Sequence, residues 1–233
     1  MEDLAERYDM RTAAAWILGH ARITGVPALP QELQALTAGE CTPEELDVVV
    51  RAGRDAGLKL YPFKRSTKTL PRVRRTMGFL RSLSFESMLD VGSGRGVFLI
   101  PFMREFPWVS VTALDLLEKR IDFLSDLADG GFPQLRVECL DVCEQPFPDD
   151  SFDVVTMLEV LEHIQQVDRA VMAAVRMARQ HVVVSVPSKP DDNPEHIHLL
   201  TKERLTEIFG AAGCMRLNFD GVEGHLFMVA TIR

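Results

Sequence analysis

The chain has 233 residues, 46% hydrophobic and 26% charged, with 26 basic against 34 acidic side chains and a net charge of −8. This describes an ordinary soluble globular protein with one main domain and an appendage. No apolar run approaches the roughly twenty residues that span a bilayer. Met1-Glu2-Asp3-Leu4 lacks the basic flank and apolar core of a secretory leader, so no membrane partner and a cytoplasmic location are expected.

Residues 1–57 read as a helical cap. Leu4, Tyr8, Ala13, Trp16, Ile17 and His20 fall near helical spacing. Thr42-Pro43-Glu44-Glu45 is a helix start, with a capping hydroxyl, a proline suited to the first turn and a glutamate able to complete a capping box. Gly57 is a natural stop for that helix. The segment either packs beside the main domain or forms a lid over an acceptor pocket. Cys41, Cys139, Cys143 and Cys214 are scattered without paired spacing, which suits reduced thiols rather than a zinc site.

Residues 58–84 read as a basic connecting helix. Lys59, Lys64, Arg65, Lys68, Arg72, Arg74, Arg75 and Arg81 come without an acid between 58 and 82, leaving 18 basic residues elsewhere against all 34 acidic ones. Segregation of this kind sets up a local positive field. Tyr61 and Phe63 interleave the charges as in surfaces that stack rings and hold phosphates. Lys64, Arg65, Arg72, Arg74 and Arg75 are therefore candidate substrate contacts. The plainer alternative is a solvated helix face, with Leu70, Val73, Met77 and Leu80 packed inward.

Residues 85–233 carry a run of strand signals. Ser87 to Val91 leads into glycines at 92, 94 and 96, an arrangement that turns tightly and brings backbone close to a nucleotide-like ligand. Asp90, just before the turn, suits a ligand with a positive charge. Pro101 requires a late helix start or a kink. Strands are expected at 109–114 (ending in Asp115), 135–140 (ending in Asp141), 152–158 (running into Glu159), 181–186, 217–220 and 225–232. Helices are expected at 118–129, 167–179 and 202–212, with polar loops at 145–151 and 188–193. Glu159, Glu162 and His163 stand at i, i+3 and i+4, the spacing of one helix face. Two carboxylates and an imidazole there suit Mg²⁺, Mn²⁺ or Zn²⁺. The alternative has His163 acting alone as a base, Glu159 on the ligand and Glu162 toward solvent.

Taken together, "LDVGSGRG", "LDV" at 140–142, "FPDDSFDVVTMLEVLEHI" and "VPSKPDDNPEHIHLLTKERL" resemble the class I S-adenosylmethionine-dependent methyltransferases over about residues 85–233. A nicotinamide or flavin dehydrogenase fits less well. Its fingerprint needs a third small residue where Val97 stands, and the extra glycine here is Gly96. The resemblance implies an α/β, Rossmann-like, doubly wound seven-stranded sheet of order 3-2-1-4-5-7-6, with an N-terminal helical extension. It implies S-adenosyl-L-methionine as cofactor, held by Asp90, Gly92, Ser93, Gly94, Gly96, Asp115, Leu116, Asp141, Val142 and Glu159.

The E-x-x-E-H stretch is similar to that of the ubiquinone-pathway O-methyltransferases and the small-RNA 3′-terminal 2′-O-methyltransferases. This implies metal ligands at Glu159, Glu162, His163 and His196, the last at a shorter interval than in those RNA enzymes. O-methylation of a small or phosphorylated acceptor is the expected reaction, with His163 catalytic. RNA is the rival acceptor, and a cofactor-binding regulatory or scaffold protein is the rival of another class.

Overall fold

The computed structural model describes residues 4–64, 70–190 and 192–232. Seven strands form one sheet in the order β3-β2-β1-β4-β5-β7-β6. They are β1 (Ser87–Val91), β2 (Ser110–Asp115), β3 (Leu135–Cys139), β4 (Phe152–Leu158), β5 (Ala178–Pro187), β6 (Arg216–Val222) and β7 (His225–Thr231). The strands β1, β2, β4 and β5 pair in parallel, whereas β7 runs antiparallel to both β5 and β6. The expected strand order is the observed one.

Nine helices accompany the sheet among the described residues: α1 (Leu4–Arg7), α2 (Met10–Thr24), α3 (Gln31–Gln34), α4 (Pro43–Asp55), α5 (Pro71–Leu80), α6 (Leu99–Glu105), α7 (Glu118–Gly131), α8 (Val167–Met177) and α9 (Lys202–Ala211). None of them is long and apolar enough to cross a membrane. The chain divides into two compact units. The first comprises Met1–Lys68, Gly94–Pro107 and Leu117–Val137, and the second Thr69–Ser93, Trp108–Leu116 and Glu138–Arg233.

In the first unit two helices start on side-chain caps, and the one at Thr42 is the start read from the sequence. Asp9 accepts a bond from the Thr12 hydroxyl at 2.9 Å to start α2, and Thr42 and Glu45 form a full capping box on α4. Leu99 starts α6 late enough to leave Pro101 in its first turn, where a missing N–H costs little. The N-terminal helices do not stand apart, because α2 packs along α7. The crossing is close enough that a Cβ on Gly130 would lie 1.6 Å from the Ala15 carbonyl oxygen, and one on Gly19 would lie 1.9 Å from that of Asp126. Beside it the His20 ring reaches the Asp126 carboxylate at 2.8 Å. Trp16, Phe63 and Phe123 cluster with ring centroids 5.5–5.8 Å apart, the two phenylalanines stacked and the indole tilted against both.

The second unit has its core where β1, β4, β5 and β7 meet α8 and α9, around Leu89, Val155, Met157, Val182, Val184, Phe209 and Met228. The nearly continuous apolar run of β5 is what a strand buried on both faces requires. Most boundaries fall within two residues of expectation, and the junction of α8 with β5 departs furthest. Helix α8 stops at Met177, and β5 begins at Ala178 with no loop between them. The Ala178 position pairs with Phe152, and a register shift follows before Val154 meets His181. The polar stretch Arg179-Gln180 thus lies in the strand instead of extending the helix. Helix α5 packs Val73, Met77 and Leu80 inward as its spacing predicts, while Leu70 precedes the helix and is half-buried.

Candidate active site

Ligands in open parallel sheets bind beyond the carboxyl ends of the strands, and the second unit gathers its polar side chains there. Strand β1 ends in Asp90 and Val91. The turn that follows has φ of 68° at Gly92, 59° at Gly94 and 72° at Gly96, dihedrals that side chains rarely adopt. A Cβ at Gly92 would lie 2.5 Å from Cγ2 of Val160, so only glycine lets this turn approach the chain leaving β4. The Gly92 N–H donates to the Leu114 carbonyl at 2.7 Å, which pins the turn to the end of β2. Of the turn glycines, Gly94 and Gly96 fall in the first unit.

Asp90 is buried, accepts a 2.6 Å bond from the Thr156 hydroxyl, and has its own carbonyl capped by the Ser93 hydroxyl at 2.9 Å. Burial pushes its carboxyl up to about 6 against the pull of the Thr156 and Ser93 bonds, and Asp115 adds to the rise. A cation beside it would reverse that rise, so a cationic ligand fits this end of β1. Asp115 is buried at the end of β2, and Leu116 after it is 62% exposed. Asp141 caps the 3₁₀ turn Val142–Glu144 by accepting from the Cys143 N–H at 2.8 Å, and Val142 is buried. A glycine cradle, an acid for a cation, an acid at the next strand and an exposed apolar neighbour are a fitting set for a nucleoside-type cofactor.

The Glu159–His163 segment departs from the expected helix face. Glu159 keeps the β4–β5 ladder going, its N–H donating to the Ser185 carbonyl at 2.9 Å, and then takes φ of 60°. Only Leu161–His163 coil, as a 3₁₀ turn, so Glu159 does not share a face with the other two. Its carboxylate accepts the Ser185 hydroxyl at 2.9 Å and meets His225 Nε2 at 2.7 Å. Glu159 is therefore separate from the converging metal-type ligands.

Those ligands are Glu162, His163 and His196, whose donor atoms all lie within 4.8 Å of one another. Two donors of one zinc ion stand at most about 4.2 Å apart, so ligation would draw these atoms slightly closer together. Glu162 is fully buried, contrary to the expectation that it faces solvent in a metal-free site. The loop carrying His196 is stitched down, since Ile197 N–H and His198 N–H both donate to the Glu162 carbonyl, at 2.9 and 3.3 Å. His163 Nδ1 donates to the Glu195 carbonyl at 2.9 Å, which leaves the Nε2 lone pair available. The donor set fits a divalent ion, with a carbonyl orienting one imidazole as such sites require.

The basic candidates are dispersed. Arg65 lies outside the described residues, as does Lys68. Lys64, in the first unit, sits 5.4 Å over the Tyr61 ring. Arg74 is exposed and Arg72 half-buried on α5. Arg75 donates to Asp220 at 2.7 Å and lies 4.8 Å over the Phe227 ring, so its charge is engaged within the fold. Sequence reasoning missed His225. It stands 66 residues from Glu159, and only a polar residue opening a closing strand marked it.

Residues 89–186 match a family model described as a methyltransferase domain. Over 107 residues the chain is 35% identical to the 27-O-demethylrifamycin SV methyltransferase of Amycolatopsis mediterranei, covering 45% of this chain and 39% of that protein. Over 95 residues it is 30% identical to the uncharacterized methyltransferase YcgJ of Bacillus subtilis, covering 40% and 36%. The chain thus spans about two-fifths of the length of these curated relatives. Among solved structures, a SAM-dependent methyltransferase from Aquifex aeolicus superposes with a TM-score of 0.60 at 19% identity, over 72% of this chain and 94% of that one. The YcgJ structure gives 0.57 at 20% identity, over 64% and 70%. At these identities the likeness is one of fold.

Proposed function

We propose that this chain, which belongs to the class I S-adenosylmethionine-dependent methyltransferases, moves the cofactor's methyl group onto an oxygen of a small or phosphorylated acceptor. The cofactor supplies a methyl carbon on a sulfonium, already activated for displacement. What the residues must add is orientation, exclusion of water and a place for the acceptor's proton. Asp90, Gly92, Ser93, Asp115, Leu116, Asp141 and Val142 would hold it at the carboxyl ends of β1 to β3.

The observation that favours a hydroxyl acceptor is the 2.9 Å contact of His163 Nδ1 with the Glu195 carbonyl. With Nδ1–H given to the Glu195 carbonyl, Nε2 takes the proton that an acceptor hydroxyl loses. A neutral aryl amine attacks through a lone pair it already has, whereas a hydroxyl and an alkylammonium both give up a proton to a base of this kind. The name of the Amycolatopsis relative, which specifies a demethylated oxygen on a small molecule, supports the same choice.

A second reading is favoured by the convergence of Glu162, His163 and His196. These three would hold Mg²⁺, Mn²⁺ or Zn²⁺, and the ion would supply acidification of the acceptor hydroxyl. Both readings use the His163 Nε2 lone pair, and a chelator separates them.

The test is transfer of label from methyl-labelled S-adenosylmethionine into phenols, sugar phosphates, amines and a short RNA. Transfer to hydroxyl acceptors, lost in His163→Ala while S-adenosylhomocysteine still binds, is the expected result. Preferential labelling of amines overturns the oxygen assignment, and labelling of the RNA alone replaces the small acceptor.

A further inference from the structure

Glu159 is a side-chain-bearing residue in the left-handed region, with φ of 60°. Such a conformation persists only where the surroundings over-determine it, and it clusters where a site needs a particular geometry. Here the surroundings are explicit. The backbone N–H is held by the Ser185 carbonyl, and the two carboxylate oxygens are taken by the Ser185 hydroxyl and by His225 Nε2. The His225 ring is further placed by its Nδ1, which stands 2.9 Å from the Glu223 carbonyl, so that as an imidazolium it donates to both acceptors. His225 opens β7 opposite Pro187 of β5, and the Ser188 N–H donates to the Gly224 carbonyl at 3.1 Å. The hairpin that carries His225 is thereby stitched to the end of the strand that carries Ser185.

The residue after Glu159 is Val160, the side chain that a Cβ on Gly92 would strike. The Glu159–Val160 corner is thus the surface against which the glycine turn closes. The Glu159 and His225 side chains are 21% and 20% exposed, so their contact is less screened than a surface pair.

We infer that His225 is a positioning residue for the cofactor: it holds the Glu159 carboxylate, and with it the Glu159–Val160 corner, in the orientation that the site at Gly92 requires. This rests on the cofactor reading above. His225 acts through Glu159 and contacts no reacting atom.

The test is calorimetric titration of the full chain with S-adenosylhomocysteine, with melting temperatures recorded alongside. His225→Ala weakens binding about fivefold to tenfold, the loss of one charge-assisted hydrogen bond in a partly buried setting. His225→Gln, whose amide can donate to Glu159, stays within about twofold of the wild type. The double variant Glu159→Ala/His225→Ala binds no more weakly than Glu159→Ala alone, because both substitutions break one interaction. Additive losses overturn the inference, as does wild-type affinity in His225→Ala. If His225→Ala does not fold, His225→Gln is compared with His225→Asn, whose amide is one methylene shorter and falls short of Glu159. Weaker binding by the asparagine variant supports the inference, and equal binding overturns it. A wild-type chain that binds no S-adenosylhomocysteine overturns the cofactor reading and this inference with it.

Discussion

Asp90 and Thr156 are register partners across β1 and β4, and the threonine hydroxyl donates to the Asp90 carboxylate at 2.6 Å. Burial dominates that carboxyl, raising it from an ordinary 3.8 to about 6, while the Thr156 bond pulls the other way. A raised acid binds its proton more tightly folded than unfolded. Its contribution to stability is therefore complete below 3.8 and is lost as pH rises through about 6. The rise corresponds to about 3 kcal/mol. Urea unfolding of the cofactor-free protein should show Asp90→Asn gaining on the wild type by about that amount between pH 4 and pH 7. A gap that does not change with pH means that Asp90 ionises without penalty.

At Gly92 two costs combine in one substitution. Alanine there meets φ of 68° and a Val160 methyl at 2.5 Å. The backbone costs about 1 kcal/mol and the overpacking about 1–3 kcal/mol. In urea, Gly92→Ala should lose about 2–4 kcal/mol in the wild-type background but only about 1 kcal/mol in a Val160→Ala background. An equal loss in both backgrounds excludes the Val160 contact as the constraint.

The α2–α7 crossing makes the same kind of prediction in the first unit. A Cβ on Gly130 would lie 1.6 Å from a backbone oxygen, which no side-chain rotation relieves. Gly130→Ala should destabilise by about 3 kcal/mol, the upper range of overpacking. Gly78→Ala on α5, with nothing within 4 Å of the new methyl, should instead gain about 0.5–1 kcal/mol from helix propensity. Matching effects at the two sites on chemical denaturation contradict the close approach.

The metal reading predicts saturable binding of Zn²⁺ or Mn²⁺ by calorimetry, weakened at least about tenfold in His196→Ala, which removes one ligand. Chelator then abolishes methyl transfer without releasing S-adenosylhomocysteine. Full activity in chelator, with no ion bound, leaves His163 as the proton acceptor by itself.

Much of this architecture is legible in the residues, because apolar alternation, glycine turns and threonine caps act within a few positions. Thr42 with Glu45, Thr201, Pro101 and the run at Val182–Val184 all stand in the elements their chemistry demands. The misreadings have a common cause. The i, i+3, i+4 spacing of Glu159, Glu162 and His163 covers less than two turns, and so short a pattern does not separate an α-helix from a strand end followed by a 3₁₀ turn. What decided it was the Ser185 carbonyl, 26 residues away, drawing the Glu159 N–H into the ladder. The Glu159–His225 contact is longer in range still and leaves no periodic trace. The packing of α2 on α7 depends on glycines at positions 19 and 130 whose meaning appears only when the helices cross.

One titration tests most directly whether a cofactor is held at the carboxyl ends of β1 and β2. S-adenosylhomocysteine added to the wild-type chain should bind saturably at one site. Asp115→Ala should weaken that binding by about 1.5–3 kcal/mol, a loss of roughly ten- to a hundredfold, because a buried carboxylate that would pair with ribose hydroxyls is removed. Absence of binding by the wild type, or unchanged affinity in Asp115→Ala, contradicts the assignment.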